Sequence, residues 1–157
     1  MALWLALAIV GVIAAAQRNW LAVWTTAMLL ANWAMNTSLA WASGTQFNWA
    51  GMAAIDYMTA CLILGARLTR WQIAVSCLYA GELVGHAARA WVGVSPYSDY
   101  IYWWYLHYLA WAQLWAVAGW VGHDLAKAVW DRIDPARRAQ IAEPLFRLMG
   151  WSTRAAK

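Results

Sequence analysis

The chain has 157 residues, 64% of them apolar and only 11% charged, against about 25% charged in an ordinary soluble domain. This balance argues against a solvated globular surface and fits a protein whose solvent is mostly lipid. The net charge of +4 belongs to the C-terminal end: seven of the eleven basic residues fall between Lys127 and Lys157, while residues 19–55 and 100–123 hold no Asp, Glu, Lys or Arg.

A helix of about 20 apolar residues spans a bilayer. Five apolar stretches predict membrane helices at about 2–17, 20–42, 50–66, 71–91 and 101–122. The expected fold is therefore all-α: a polytopic transmembrane helix bundle over 1–122, followed by a short basic amphipathic cytoplasmic tail over 123–157. Period-2 alternation is absent, which argues against a membrane β-barrel.

The first stretch, MALWLALAIVGVIAAA, is similar to the apolar centre of a signal peptide, and Ala14 to Ala16 offer small residues for cleavage. Arg18 follows the run instead of preceding it, so a first membrane helix is the expectation. Arg18, Arg67, Arg70 and the tail mark one side of the membrane as cytoplasmic, because basic residues prefer that side. The expected topology is multi-pass in a bacterial-type inner membrane, with the N-terminus outside and the C-terminus in the cytoplasm. Arg89, near the outer end of the fourth span, is the exception; it must snorkel outward or pair with an acid.

Cys61 and Cys77 lie in apolar segments with no CxxC spacing, and are expected to be small buried hydrophobes. Many of the fifteen tryptophans fall near the expected span ends. Trp20, Trp24, Trp71 and Trp120 would form an inner belt. Trp41, Trp49, Trp91, Trp103 and Trp104 would form an outer one, joined by Tyr97, Tyr100 and Tyr102. Gly93, Ser95, Pro96, Ser98 and Asp99 read as a turn.

In the tail, Asp134-Pro135 reads as an N-cap with proline at the first helical position. Arg137, Arg138 and Arg147 alternate with apolar residues at helical spacing, and Pro144 should kink or split the segment. A membrane-surface helix on the anionic inner leaflet is the expectation, and nucleic acid is not an expected partner. A second copy or another membrane subunit is the candidate protein partner.

The informative feature is a polar layer inside the spans. Counted from the outer ends, Asn36, Asp56, His86 and His107 each lie five or six residues deep, so their heights agree within about one helical turn. Asn32 and Glu82 lie one turn deeper, on the faces of Asn36 and His86. Tyr79, Glu82, His86 and Arg89 form one stripe on the fourth span. Gly81 and Gly85, four apart, should allow a neighbouring backbone to approach closely.

Three functional readings follow. Asp56, Glu82, His86 and His107 can exchange protons or line an ion path, with Asn32 and Asn36 orienting them and Arg89 tuning Glu82. Alternatively the layer is a purely structural core, as in a holin-like or accessory phage or bacterial membrane protein. In the third reading His86, His107, Asp56 and Glu82 hold a metal ion, or the two histidines ligate a haem. No catalytic motif such as GxSxG or a P-loop occurs, so an enzyme is not expected.

Overall fold

Asn19, Asn48 and Thr69 each turn a side-chain oxygen onto an amide of the helix that follows them. Asn19 Oδ1 accepts from Ala22 N at 3.1 Å, Asn48 Oδ1 from Gly51 N at 2.9 Å, and Thr69 Oγ1 from Gln72 N at 3.3 Å. These bonds satisfy amides that a helix start leaves without partners. The computed structural model describes residues 2–43, 48–93 and 95–148, excepting the side chains of 96 and 145–148. Among the described residues there are six α-helices and no strand: α1 (Ala2–Ala16), α2 (Trp20–Ala42), α3 (Trp49–Ala66), α4 (Arg70–Val92), α5 (Pro96–Arg132) and α6 (Pro135–Leu148).

The all-α class follows the sequence. The membrane helices do so only in part: among the described residues α3 alone is long and apolar enough to cross a bilayer, and α1 is apolar but shorter. Helices α2, α4 and α5 have the length, but polar side chains interrupt their apolar runs, among them Asn32, Asn36, Glu82, His86 and Gln113.

Helix α5 starts five residues before its predicted limit. Ser95 Oγ accepts from Ser98 N at 3.1 Å, while Ser98 Oγ accepts from Ser95 N at 3.0 Å. Pro96 then occupies the first helical position, where its missing N–H costs nothing. The presumed turn is thus a helix start. Gly93 ends α4 with φ at +80°, a backbone region that favours glycine.

The chain divides into two units, Met1–Val121 and Gly122–Lys157. In the first, paired residues run in opposite order along successive helices: Trp4 meets Trp33, Asn32 meets Asp56, Asp56 meets His86, and His86 meets Tyr102. Helices α1 to α5 therefore alternate in direction. Gln17 Nε2, just past α1, donates to the Val121 carbonyl of α5 at 3.3 Å. The apolar core draws on all five helices, with Leu7, Leu29, Ile63, Val75 and Val117 fully or almost fully buried.

The buried threonine hydroxyls are satisfied locally. Thr25, Thr26 and Thr59 each donate to the carbonyl one turn earlier at 2.8 Å, a habit of helical threonine that removes the need for water. Trp120 and Tyr102, assigned to the belts by their position, are instead buried. Cys61 and Cys77 are exposed, so the expectation of buried thiols is overturned. Both lie on outward helix faces.

In the second unit, Asp134 caps α6 by accepting from Ala136 N at 2.9 Å. The helix continues through Pro144 to Leu148 without splitting. Arg137 is exposed. Arg138 folds back instead, donating to the carbonyls of Ile133 at 2.7 Å and Asp131 at 3.3 Å. The Arg147 side chain, Met149 and Trp151 lie outside what is described.

Close backbone approach joins α1 to α2, α2 to α3 and α3 to α4. Against α4, α5 packs by side chains: the Gly81–Gly85 face admits the Tyr105 ring, whose hydroxyl donates to the Gly81 carbonyl at 2.7 Å. A Cβ on Gly85 would come within 2.5 Å of Tyr105 Cε1, whereas one on Gly119 would meet nothing within 4 Å. Gly85→Ala is expected to lower unfolding stability in detergent by about 1–3 kcal/mol, the usual cost of overpacking. Gly119→Ala should leave it within about 0.5 kcal/mol of the parent.

Candidate functional site

Asp56 is the meeting point of the polar layer. It projects from the middle of α3 and is 2% exposed. Its Oδ1 accepts from Asn32 Nδ2 and Asn36 Nδ2 of α2, both at 2.8 Å. Its Oδ2 lies 2.8 Å from His86 Nε2 of α4. The two asparagines are one helical turn apart and share a face, which lets both reach one oxygen. Asn32 Nδ2 also reaches Thr59 Oγ1 at 3.1 Å, and Asn36 Nδ2 reaches Asn32 Oδ1 at 3.3 Å.

His86 extends the network to a fourth helix. Its Nδ1 shares a 2.5 Å hydrogen bond with the Tyr102 hydroxyl of α5. A continuous line therefore runs from α2 through Asp56 and His86 to α5. Both ring nitrogens of His86 are engaged, so the imidazole is held in orientation at either end.

Glu82 lies one turn deeper on α4 and is 6% exposed. Asp56 and the Gln113 amide are its polar neighbours. Gln113 is fully buried, with neither amide atom closing a hydrogen bond. Among the described residues no Lys or Arg pairs with Asp56 or Glu82. Arg89 is buried and donates to Asp99 of α5 and to the Gly93 carbonyl. Its acid is thus Asp99, and the role of tuning Glu82 lacks a direct contact.

His107 is exposed and one step removed from the network. Its Nε2 accepts from Trp111 Nε1 of its own helix at 2.9 Å, and its ring packs edge-on against Trp104. It nevertheless lines the same cavity as the buried groups. That cavity, of about 460 Å³, is walled by α2 and α5, with Asp56, Glu82 and His86 at its back.

The structure thus brings together Asn32, Asn36, Asp56 and His86 by direct hydrogen bonds. Glu82 stands beside them, His107 lies across the cavity, and Arg89 is in a separate pair. Among the described residues no three of His, Cys, Asp and Glu are grouped to hold a metal ion. As placed, His86 has no free nitrogen for an ion or a haem iron, which does not fit the pairing of His86 with His107 as ligands.

Sequence reasoning assigned Tyr102 to the outer belt and left Thr59 and Gln113 out of the site, because spacing alone does not align their faces with the layer. Tyr102 was recoverable. Once Arg89 is paired with Asp99, antiparallel register one turn deeper sets His86 opposite Tyr102. Comparison with protein-family models, curated proteins and solved structures finds no match to this chain.

Tyr102→Phe removes one partner of a buried nitrogen and should cost about 1–2 kcal/mol of stability. A double-mutant cycle with His86→Phe, read by unfolding in detergent, should return a coupling of about 0.6–1.7 kcal/mol. Strict additivity would show that the bond does not form.

Proposed function

We propose that helices α1 to α5 are five membrane spans and that their polar core exchanges protons, or passes ions, through a crevice that opens on the outer side. The membrane reading draws support from an inversion of polarity in the first unit. Asp56, His86, Gln72 and Gln113 are buried, while Leu5, Val12, Met58, Leu62, Val84 and Trp115 are at least half exposed. Exposed apolar surface of this extent is a liability in water and normal in lipid. With this topology, ten of the eleven basic residues fall on the cytoplasmic side. The tail would rest on the anionic inner leaflet through Arg137; Arg138 is already occupied.

The observation that carries the exchange reading is the unbroken line Asp56–His86–Tyr102, of which Asp56 and His86 stand at the back of the cavity. A neutral imidazole has one protonated nitrogen and one acceptor. A proton gained at one nitrogen and lost from the other crosses the ring without moving it; the Tyr102 hydroxyl takes up the proton leaving Nδ1 only as it gives up its own. Histidine suits this task because its charge changes near neutral pH. Asn32 and Asn36 fix Oδ1 of Asp56, leaving Oδ2 for the imidazole.

One observation favours a structural core instead: both oxygens of Asp56 and both nitrogens of His86 already have partners within the protein. A holin-like or accessory role is compatible with such a core. The two readings part in a flux assay. In proteoliposomes with an imposed pH gradient, Asp56→Asn should lower proton or cation flux at least about tenfold while helicity is retained, the scale typical of a lost proton-transfer group. Unchanged flux in a folded Asp56→Asn protein would favour the structural core. For the topology, single cysteines in the α2–α3 and α4–α5 connections should react with an impermeant thiol reagent from outside. One at the α3–α4 connection should react only after permeabilisation.

A further inference from the structure

The cavity has a chemical character of its own. Among the described residues its charged lining consists of Asp56 and Glu82, with no Lys or Arg, and three indoles, Trp33, Trp41 and Trp103, contribute to its walls. Trp41 is 85% exposed and Trp103 44% exposed, so both offer ring surface at the mouth. Met52, Leu106 and Ala110 add apolar wall. The volume, about 460 Å³, falls within the range of sites for small organic molecules, about 300–1,000 Å³.

Charge balance points the same way. A protonated His86 would offset one carboxylate. The second has no cationic side chain among the described residues, and an unpaired carboxylate within hydrocarbon is costly. It must hold a proton or a cation from outside. Small hard cations prefer six or more oxygen ligands. Here Asp56 spends its oxygens on Asn32, Asn36 and His86, and the remaining wall is mostly apolar. Indole faces attract cations, best of all when both are removed from water.

We infer that this cavity binds a hydrophobic organic cation, such as a quaternary ammonium or phosphonium with aromatic or alkyl substituents. Glu82 and Asp56 supply the countercharge at its back, and Trp33, Trp41 and Trp103 supply the faces. The inference rests on the exchange reading for what the site is for, because it names the species that protons would replace. The titratable groups around Glu82 are Asp56 of α3, Tyr79 and His86 of α4, and Tyr102 and His107 of α5; α2 contributes only the neutral Asn32 and Asn36. Protons and the cation compete for the carboxylates, so affinity should rise as pH rises.

The test is equilibrium binding to the purified full chain in detergent, with protein-free micelles as blank. The probes are tetraphenylphosphonium and tetraphenylborate, which share shape and differ in sign. The expected result is saturable binding of one phosphonium per chain, tighter at higher pH, with no saturable binding of the borate. Glu82→Gln should weaken phosphonium binding at least about tenfold, the scale of a lost buried charge partner, and Trp103→Ala should weaken it several-fold. Comparable saturable binding of both ions, or no saturable phosphonium binding to the folded parent chain, would overturn the inference. So would affinities within about twofold of the parent in both Glu82→Gln and Asp56→Asn. Binding is read without any gradient. Loss of flux with binding intact would therefore fault the exchange reading, and flux without binding would fault the cation alone.

Discussion

A single buried carboxylate ties together four of the helices of the first unit. Asp56 on α3 ties itself to α2 through two asparagines and to α4 through His86, and His86 carries the connection on to α5. If these helices span a bilayer as proposed, hydrogen bonds between them are worth about 0.6 kcal/mol each on average, and four would add only about 2 kcal/mol. Their larger effect is on specificity. Removing any one partner leaves a largely buried polar group without its bond, and that penalty selects one register for each helix pair.

The two ends of the network differ in how their helices are fastened. Helices α1 to α4 approach through their backbones, and the α3–α4 corner is fastened further by Gln72, whose amide donates to the Ile63 carbonyl at 3.1 Å. Helix α5 is held to α4 by long side chains: Tyr105 on Gly81, Tyr102 on His86, and Asp99 on Arg89. The same helix forms one wall of the cavity. A wall fastened through side chains can shift by rotamer changes, which happen faster than the repacking of two helix backbones. A site that admits and releases a ligand needs one such compliant side.

Much of this was legible in the sequence. Apolar runs set the starts of α1 to α4 to within a residue, and Asp134-Pro135 set that of α6, since a cap is a local event. Equal depth along antiparallel helices was enough to gather Asn32, Asn36, Asp56 and His86. What stayed hidden depended on helix rotation. Tyr102 and Trp120 sit near the span ends, where an aromatic ring is at home whether it faces lipid or core. His107 shares the right height, but its ring nitrogen is taken by Trp111 of its own helix. The start of α5 was concealed because serine and proline open turns and helices alike. The proposed five-span topology draws on helix length and charge placement; among the described residues α3 alone is both long and apolar enough to cross a bilayer.

The most direct test of the central junction is solid-state NMR of the protein in bilayers, with histidine labelled at both ring nitrogens. His86 should show two hydrogen-bonded nitrogens, coupled through space to an Asp56 carboxyl carbon on one side and to the Tyr102 ring on the other. Its signals should move when Tyr102→Phe is introduced and stay in place for Trp111→Phe, which alters only His107. A His86 imidazole with a solvent-exchanging nitrogen, and no contact to Asp56, would contradict the account.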